Sequence, residues 1–234
     1  MEPPQKELLQ EENKTLETLA QTIFTEWFVN FNFPGATGEM EDSELGEIPK
    51  GWRVGKLKDF GKIICGKTPS KGNENYFNGN IPFIKIPDLH NQVYIIEASD
   101  TLSEEGANSQ KLKTIPKDSL VVSCIATVGL IGITTKSSQT NQQINSIVVN
   151  DNNDNEFVYY AIQSAFPRYL SSIAVQAVPI ISKSAFELLP NQRPCLQEQK
   201  KIGKMLSLLD ERIATQNKII EDLKKLKSAI IEIE

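Results

Sequence analysis

Leu196-Gln197-Glu198-Gln199-Lys200-Lys201-Ile202, followed by Leu209-Asp210, opens the stretch that decides the fold. From here to the end of the chain a helical period sets in and lasts. Ile202, Leu209, Gln216, Leu223 and Ile230 fall on one heptad series, and Leu206, Ile213, Ile220 and Lys227 on the interleaved one. Two interleaved series of this kind make a coiled-coil seam, in which polar Gln216 and Lys227 can fix register. The same pattern also suits an amphipathic helix packed on its own domain. Either way, residues 196–234 are predicted as one long helix.

Working outward, the amino terminus carries the matching element. Leu9, Leu16, Leu19, Ile23 and Trp27 recur at helical spacing, and Pro34-Gly35 stops the pattern, so residues 1–33 are predicted as a second amphipathic helix. Asn13-Lys14-Thr15-Leu16-Glu17-Thr18-Leu19 also aligns weakly with Asn217-Lys218-Ile219-Ile220-Glu221-Asp222-Leu223. Residues 34–50 bear Gly, Glu and Pro with little apolar periodicity and read as an acidic linker.

Between the helices, residues 51–195 change to short β-rich runs. Phe83 to Ile86, Val93 to Ile96, Leu120 to Ser123 and Ile144 to Val149 are predicted strands, separated by turns such as Asn78-Gly79-Asn80. One helix is expected from Glu156 to Ile173, with Pro167 bending or ending its first part. The fold class is therefore α+β: a β-rich domain flanked by two long amphipathic helices.

Charge divides sharply along the chain. The net is −5 overall, but residues 1–49 hold 11 acidic and 2 basic side chains, whereas residues 50–195 hold 12 acidic and 15 basic ones. The middle block is thus mildly basic, which permits phosphate contact without strong nonspecific binding. Cys65, Cys124 and Cys195 are far apart and form no C-x-x-C pair, so neither a disulfide framework nor a metal site is expected. No apolar run reaches the roughly 20 residues of a membrane span, and the first residues have no signal-peptide core, so a cytoplasmic protein is expected.

Some motifs mislead. Gly61-Lys62-Ile63-Ile64-Cys65-Gly66-Lys67-Thr68 satisfies the phosphate-loop pattern letter by letter, but Pro69 follows at once where a helix should begin. Pro87-Asp88 with Glu97 lacks the lysine of a metal-dependent nuclease, since Ala98-Ser99 stand in its place. His90 is the only histidine, which leaves no His-based triad to argue. Neither an Asn/Asp-Pro-Pro-aromatic motif nor a glycine-rich cofactor loop of an adenine methyltransferase is present. No catalytic residue, metal site or bound cofactor is expected of this chain.

Four signatures in fixed order carry a resemblance: Thr140-Asn141-Gln142-Gln143-Ile144-Asn145, Val178 to Glu187, Leu196 to Ile202, and Leu209-Asp210. With Gly51-Trp52, Gly66-Lys67-Thr68-Pro69, Ile81 to Lys85 and Ser123 to Gly129 upstream, the chain resembles the specificity (S) subunit of a type I restriction-modification system. The resemblance covers nearly the whole chain and implies one target-recognition domain with its conserved helices, either the second half of such a subunit or a natural half-subunit. It further implies that the helices pair antiparallel as a coiled-coil spacer through Leu16, Leu19, Ile23, Ile202, Leu206, Leu209, Ile213, Ile220, Leu223 and Ile230. The implied partners are double-stranded DNA, methyltransferase (M) subunits that modify adenine at N6 with S-adenosylmethionine, and an ATP- and Mg-dependent restriction (R) subunit. A homodimer through Ile202, Leu209, Ile213, Ile220 and Leu223 would read an inverted repeat.

The candidate DNA contacts follow from chemistry and from position. Asn141 and Gln142, with Gln143 and Asn145, carry amides able to pair with adenine, yet a run shared by readers of different sites suits a structural or phosphate role better. Base readers are sought where no family pattern lies: Lys71, Asn73, Asn75, Tyr76 and Asn78 in one turn-rich stretch, and Asn91, Gln92, Asn108, Gln110, Lys111 and Lys113 in another. Lys67, Lys85, Lys136 and Lys183 are the phosphate candidates. An interaction scaffold that binds a protein partner and no DNA is the competing reading, favoured by the acidic first segment.

Overall fold

The computed structural model describes residues 5–90, 92–172 and 179–231. Helix α1 (Gln5–Phe28) leads into a short hairpin, β1 (Met40–Ser43) with β2 (Gly46–Pro49). Residues 34–50, expected as a plain linker, thus hold two strands. Their outward positions are acidic and exposed, while Ile48 and Pro49 turn inward. One buried pair in an acidic run leaves no apolar alternation for the sequence to display.

A five-stranded sheet forms the centre of the domain. Its order is β4 (Gly61–Cys65), β11 (Ile144–Val149), β8 (Leu120–Ser123), β9 (Ile131–Thr134) and β6 (Tyr94–Ile95), antiparallel except where β6 joins β9 in parallel. Both faces are covered, so β8 is apolar and buried throughout: Leu120 and Val122 enter one core, Val121 the other. The second core also takes Ile64, Ile84, Ile115 and Ile144 and lies toward a three-stranded sheet of β10 (Gln139–Thr140), β5 (Phe77–Ile84) and β7 (Asp100–Leu102). Ile86, expected in a strand, instead starts a 3-10 turn through Leu89, because Pro87 has no N–H to give a ladder.

The first core is helical. α4 (Asn155–Ser172) buries Phe157, Val158, Ile162, Phe166 and Tyr169 against the sheet. Pro167 sits inside α4 with its ring exposed and does not end it, contrary to one of the two expected outcomes. The segment beyond it is pinned to β12 (Pro190–Arg193): Arg168 and Tyr169 both donate to the Pro190 carbonyl, at 3.1 and 3.0 Å. β12 pairs in turn with β3 (Arg53–Lys56).

The carboxy-terminal helix α6 (Leu196–Ile231) packs on α4 and α1. Phe31 and Phe33, just past α1, pack on Trp52, which lies against Glu198 near the start of α6. Glu12, early in α1, meets Arg212 farther along α6 at 3.3 Å. The two helices therefore run antiparallel within one chain.

The seam uses most of the expected residues. Ile202, Leu206 and Ile220 are buried, and Leu16, Ile23, Leu209, Ile213 and Leu223 are partly so. Leu19 is a correction: at 45% exposure it lies outside the seam. At about 100° per residue it stands on the edge of the stripe centred on Leu16, Ile23 and Trp27. The side chain of Ile230 lies outside the described residues, as do those of Leu9 and Lys227. Because Ile202 and Ile220 are consumed by intrachain packing, they are not available to a homodimer in this conformation.

Candidate nucleic-acid interface

The candidate interface begins where the chain crosses from one sheet to the other. Gln139 and Thr140 belong to the small sheet, opposite Phe83 and Ile84, and Ile144 already belongs to the large one. Residues 141–143 make the crossing. Asn141 spends both ends of its amide on it: Oδ1 accepts the Gln143 N–H at 3.0 Å, and Nδ2 donates to Gln143 Oε1 at 3.0 Å. Buried and doubly bonded, Asn141 holds the turn and offers no edge to a base. Gln142 is exposed, and its Oε1 accepts the Thr68 hydroxyl at 2.7 Å, while its Nε2 makes no hydrogen bond among the described residues.

Gly66 sits directly against this turn. A side chain there would collide with the Asn141 carbonyl and with Thr140, so only glycine fits. Its N–H donates to the Ile144 carbonyl and that of Lys67 to Thr140, while residues 61–65 form a strand. The phosphate-loop letters therefore describe an edge strand and its exit, where the Gly66 and Lys67 amides are already spent on the protein rather than gathered in a nest for a phosphate.

A cleft opens beside the turn. Phe77 and Phe83 line it with Thr68, Lys71, Lys85, Asp100 and residues 141–143. Lys71 is exposed on its rim, and Lys67 precedes it with its side chain in solvent. Lys85 is a correction as a phosphate contact. Its ammonium pairs with Asp100 and lies 5.7 Å from the Phe83 ring centre, so its charge is already answered.

Other candidates are also committed to the protein. Lys113 donates to the Cys65 carbonyl at 2.9 Å, and Gln110 bridges the Lys67 carbonyl and Gln139 Oε1, both at 2.7 Å. Asn73 accepts the Asn75 N–H and caps the 3-10 turn of Glu74–Tyr76. Gln92 donates to the Asp88 carbonyl. Asp88 itself, the acid of the nuclease-like pair with Glu97, caps Lys85 and Ser99 through their backbone N–H groups with its two oxygens.

Tyr76 is partly buried, whereas Asn75 and Asn78 are exposed, Asn78 with a left-handed φ of 59°. Lys183 pairs with Glu187 on α5 (Lys183–Glu187), which packs near α2 (Leu57–Phe60) and β4 rather than on the cleft. Lys111 and Lys136 are exposed, and with Lys67 and Lys71 they make no ion pair among the described residues. Asn91 lies outside those residues. No grouping of acids, Cys and His fit to hold a metal occurs among them, and no described helix is long and apolar enough to cross a membrane.

A second set of polar residues joins the domain to α6. Gln199 is 0% exposed: its Nε2 donates to Asn153 Oδ1 and the Pro194 carbonyl, and its Oε1 accepts the Asp154 N–H at 2.9 Å. Asp154 caps α4 by accepting the Phe157 N–H. Gly203 lets the helix close on Asp154 and Phe157, where a side chain would collide. Asp210 accepts the Tyr160 hydroxyl, and burial raises its carboxyl above the ordinary value despite that bond. The Leu196 and Leu209-Asp210 signatures are therefore a latch between α4 and α6.

A family described as "Type I restriction modification DNA specificity domain" matches residues 49–225. The HindI specificity subunit of Haemophilus influenzae is 37% identical over 69% of this chain and 48% of its own length. The MjaIX specificity subunit of Methanocaldococcus jannaschii is 30% identical over 80% of this chain and 44% of its own. The S subunit of a type I system from M. genitalium shares the fold with a TM-score of 0.68, at 14% identity, over 96% of this chain and 55% of that one. The chain thus spans about half the length of the curated relatives it matches, and it belongs to the type I restriction-modification DNA specificity domain family.

Proposed function

We propose that this chain reads one half of a split DNA site and supplies specificity to a methyltransferase whose chemistry it does not itself perform. The observation that carries this reading is the rim around residue 142. There an exposed amide, oriented by Thr68, projects beside the unpaired ammonium groups of Lys67 and Lys71. The run as a whole suits a structural or phosphate role, but Gln142, unlike Asn141, keeps a spare amide donor at the surface, and such an amide can pair with an adenine edge in the major groove while unpaired lysines answer phosphates. Lys111 and Lys136 are two further exposed lysines without an ion pair among the described residues.

By this reading the adenine-N6 transfer and its S-adenosylmethionine belong to the methyltransferase partner, and ATP and Mg to the restriction subunit. The docking face for the methyltransferase is the flank of α6 where Met205, Leu208 and Ile219 are exposed beside the seam.

Selection from a randomised duplex library at about 150 mM salt, where nonspecific phosphate binding is weak, tests the proposal. The chain is used together with its methyltransferase. Enrichment of a motif of a few base pairs containing an adenine is the expected result. A stable protein complex that enriches nothing would replace this reading with the protein-scaffold one.

A further inference from the structure

The 3-10 turn of Lys111–Lys113 carries an apolar side chain with no place in either core. Leu112 is 88% exposed, the most exposed of the large hydrophobic residues described. A single exposed leucine on a loose loop means little. This loop is not loose. Gln110, buried before it, bridges the Lys67 carbonyl and Gln139, and Gln139 in turn donates to the Ala107 carbonyl and the Thr114 hydroxyl at 2.9 and 2.8 Å. Lys113, after it, is tied to the Cys65 carbonyl. The Lys113 N–H closes the turn on the Gln110 carbonyl at 2.8 Å.

Two buried amides and an ammonium therefore fix the backbone on both sides of a leucine that stands in solvent. Those ties also set it beside Cys65–Lys67, the edge that continues into the cleft rim. The flanking Lys111 side chain is exposed and the Lys67 ammonium is unpaired, so the leucine projects from a cationic rim.

We infer that Leu112 is a wedge that enters between two base steps of the bound duplex while Lys111 and Lys67 hold the adjoining phosphates. Proteins that insert an apolar side chain into a base step unstack it, and flexible pyrimidine–purine steps yield most easily. A rigid turn suits this role because the wedge must not fold back when it meets the stack. Such insertion adds shape readout to whatever Gln142 reads directly. The inference rests on the DNA-reading proposal above.

The test uses the full chain with its methyltransferase and the duplex enriched by selection, with 2-aminopurine placed at each purine in turn. Unstacking at one step beside the half-site should raise the fluorescence several-fold over free duplex. Leu112→Ala should return that position to the free-duplex level and weaken binding about tenfold, while Leu112→Met keeps both. A probe at the target adenine, which methyltransferases extrude from the stack, should stay bright in Leu112→Ala and so report intact assembly.

Stable binding with no bright step other than the target, or a bright step that survives Leu112→Ala, would overturn the wedge alone. Weakening that follows replacement of one thymine by uracil, with no unstacking, would also overturn it in favour of a methyl contact. Failure to retain any duplex, even at low salt, would overturn the DNA-reading proposal and the wedge together.

Discussion

The latch between α4 and α6 and the rim around Gln142 are both rich in amides, but they treat their hydrogen bonds in opposite ways. In the latch, Gln199 uses both ends of its side chain on the protein and is sealed from water. On the rim, Gln142 has one anchored end and one end in solvent. Under the proposed function, the difference separates assembly from reading. A buried amide with every bond made contributes to a unique geometry, and any loss leaves its partners stranded. An exposed amide with a spare donor adds little to the fold and remains free to contact a ligand.

The sharpest way to break this contrast is to cut the latch. Gln199→Ala strands the Asp154 N–H, one Asn153 oxygen contact and the Pro194 carbonyl in a dry site, and should cost about 3 kcal/mol of stability at roughly 1–3 per stranded group. Chemical denaturation measures it directly. A loss as small as that of a surface substitution would show that the latch is incidental. Gln142→Ala should leave the same denaturation curve unmoved within about 0.5 kcal/mol. It should instead relax discrimination at one base pair by about 1–3 kcal/mol in a binding competition.

Tyr160 and Asp210 sharpen the same point from the other end of the junction. Tyr160→Phe leaves a largely buried carboxylate without its hydroxyl donor and should destabilise by about 2 kcal/mol. The pH dependence has a definite sign. Because burial raises the folded-state value of Asp210 above its ordinary 3.8, the folded chain binds this proton more tightly than the unfolded chain does. Asp210 alone therefore adds stability as pH falls through the raised folded value, and that gain is complete below the ordinary value. Asp210→Asn, which keeps an acceptor for Tyr160, should remove this acid-side gain. Thermal unfolding between neutral pH and pH 4 would follow it, and an unchanged profile would refute the buried-charge account.

Much of this architecture is legible in the residues themselves. The heptads of α6 and the apolar runs at Leu120 and Ile144 are periodic, and the period of an apolar pattern reports directly which face is buried. The signatures are legible too, but the bonds that give them their roles are only partly so. Thr140 to Asn145 carries amides able to pair with adenine but suits a structural or phosphate role better, and Asn141 is a turn brace whose partner lies two residues away in a crossing between sheets. Lys113 and Gln110 read as groove contacts because their true acceptors, at Cys65 and Lys67, lie more than forty residues upstream. No local pattern reports such distant carbonyls. Nothing in the sequence singles out Leu112, because its exposure depends on a turn fixed by those same distant bonds.

The mildest prediction tests the seam, where one amide breaks the rule followed in the latch. Gln216 is 1% exposed between the long helices, and neither end of its side chain has a hydrogen-bond partner among the described residues. A polar residue at a seam position costs stability and fixes register or pairing. Gln216→Leu should therefore raise stability by about 1 kcal/mol, since it removes an unsatisfied buried amide at similar volume. It should also loosen the choice of helix pairing, so that a fraction of chains exchange α1 and α6 with neighbours and appear as dimers in sedimentation. Stabilisation with a strictly monomeric chain would assign Gln216 no part in register. Loss of stability would mean that the amide is satisfied in solution, and the contrast between latch and seam would then disappear.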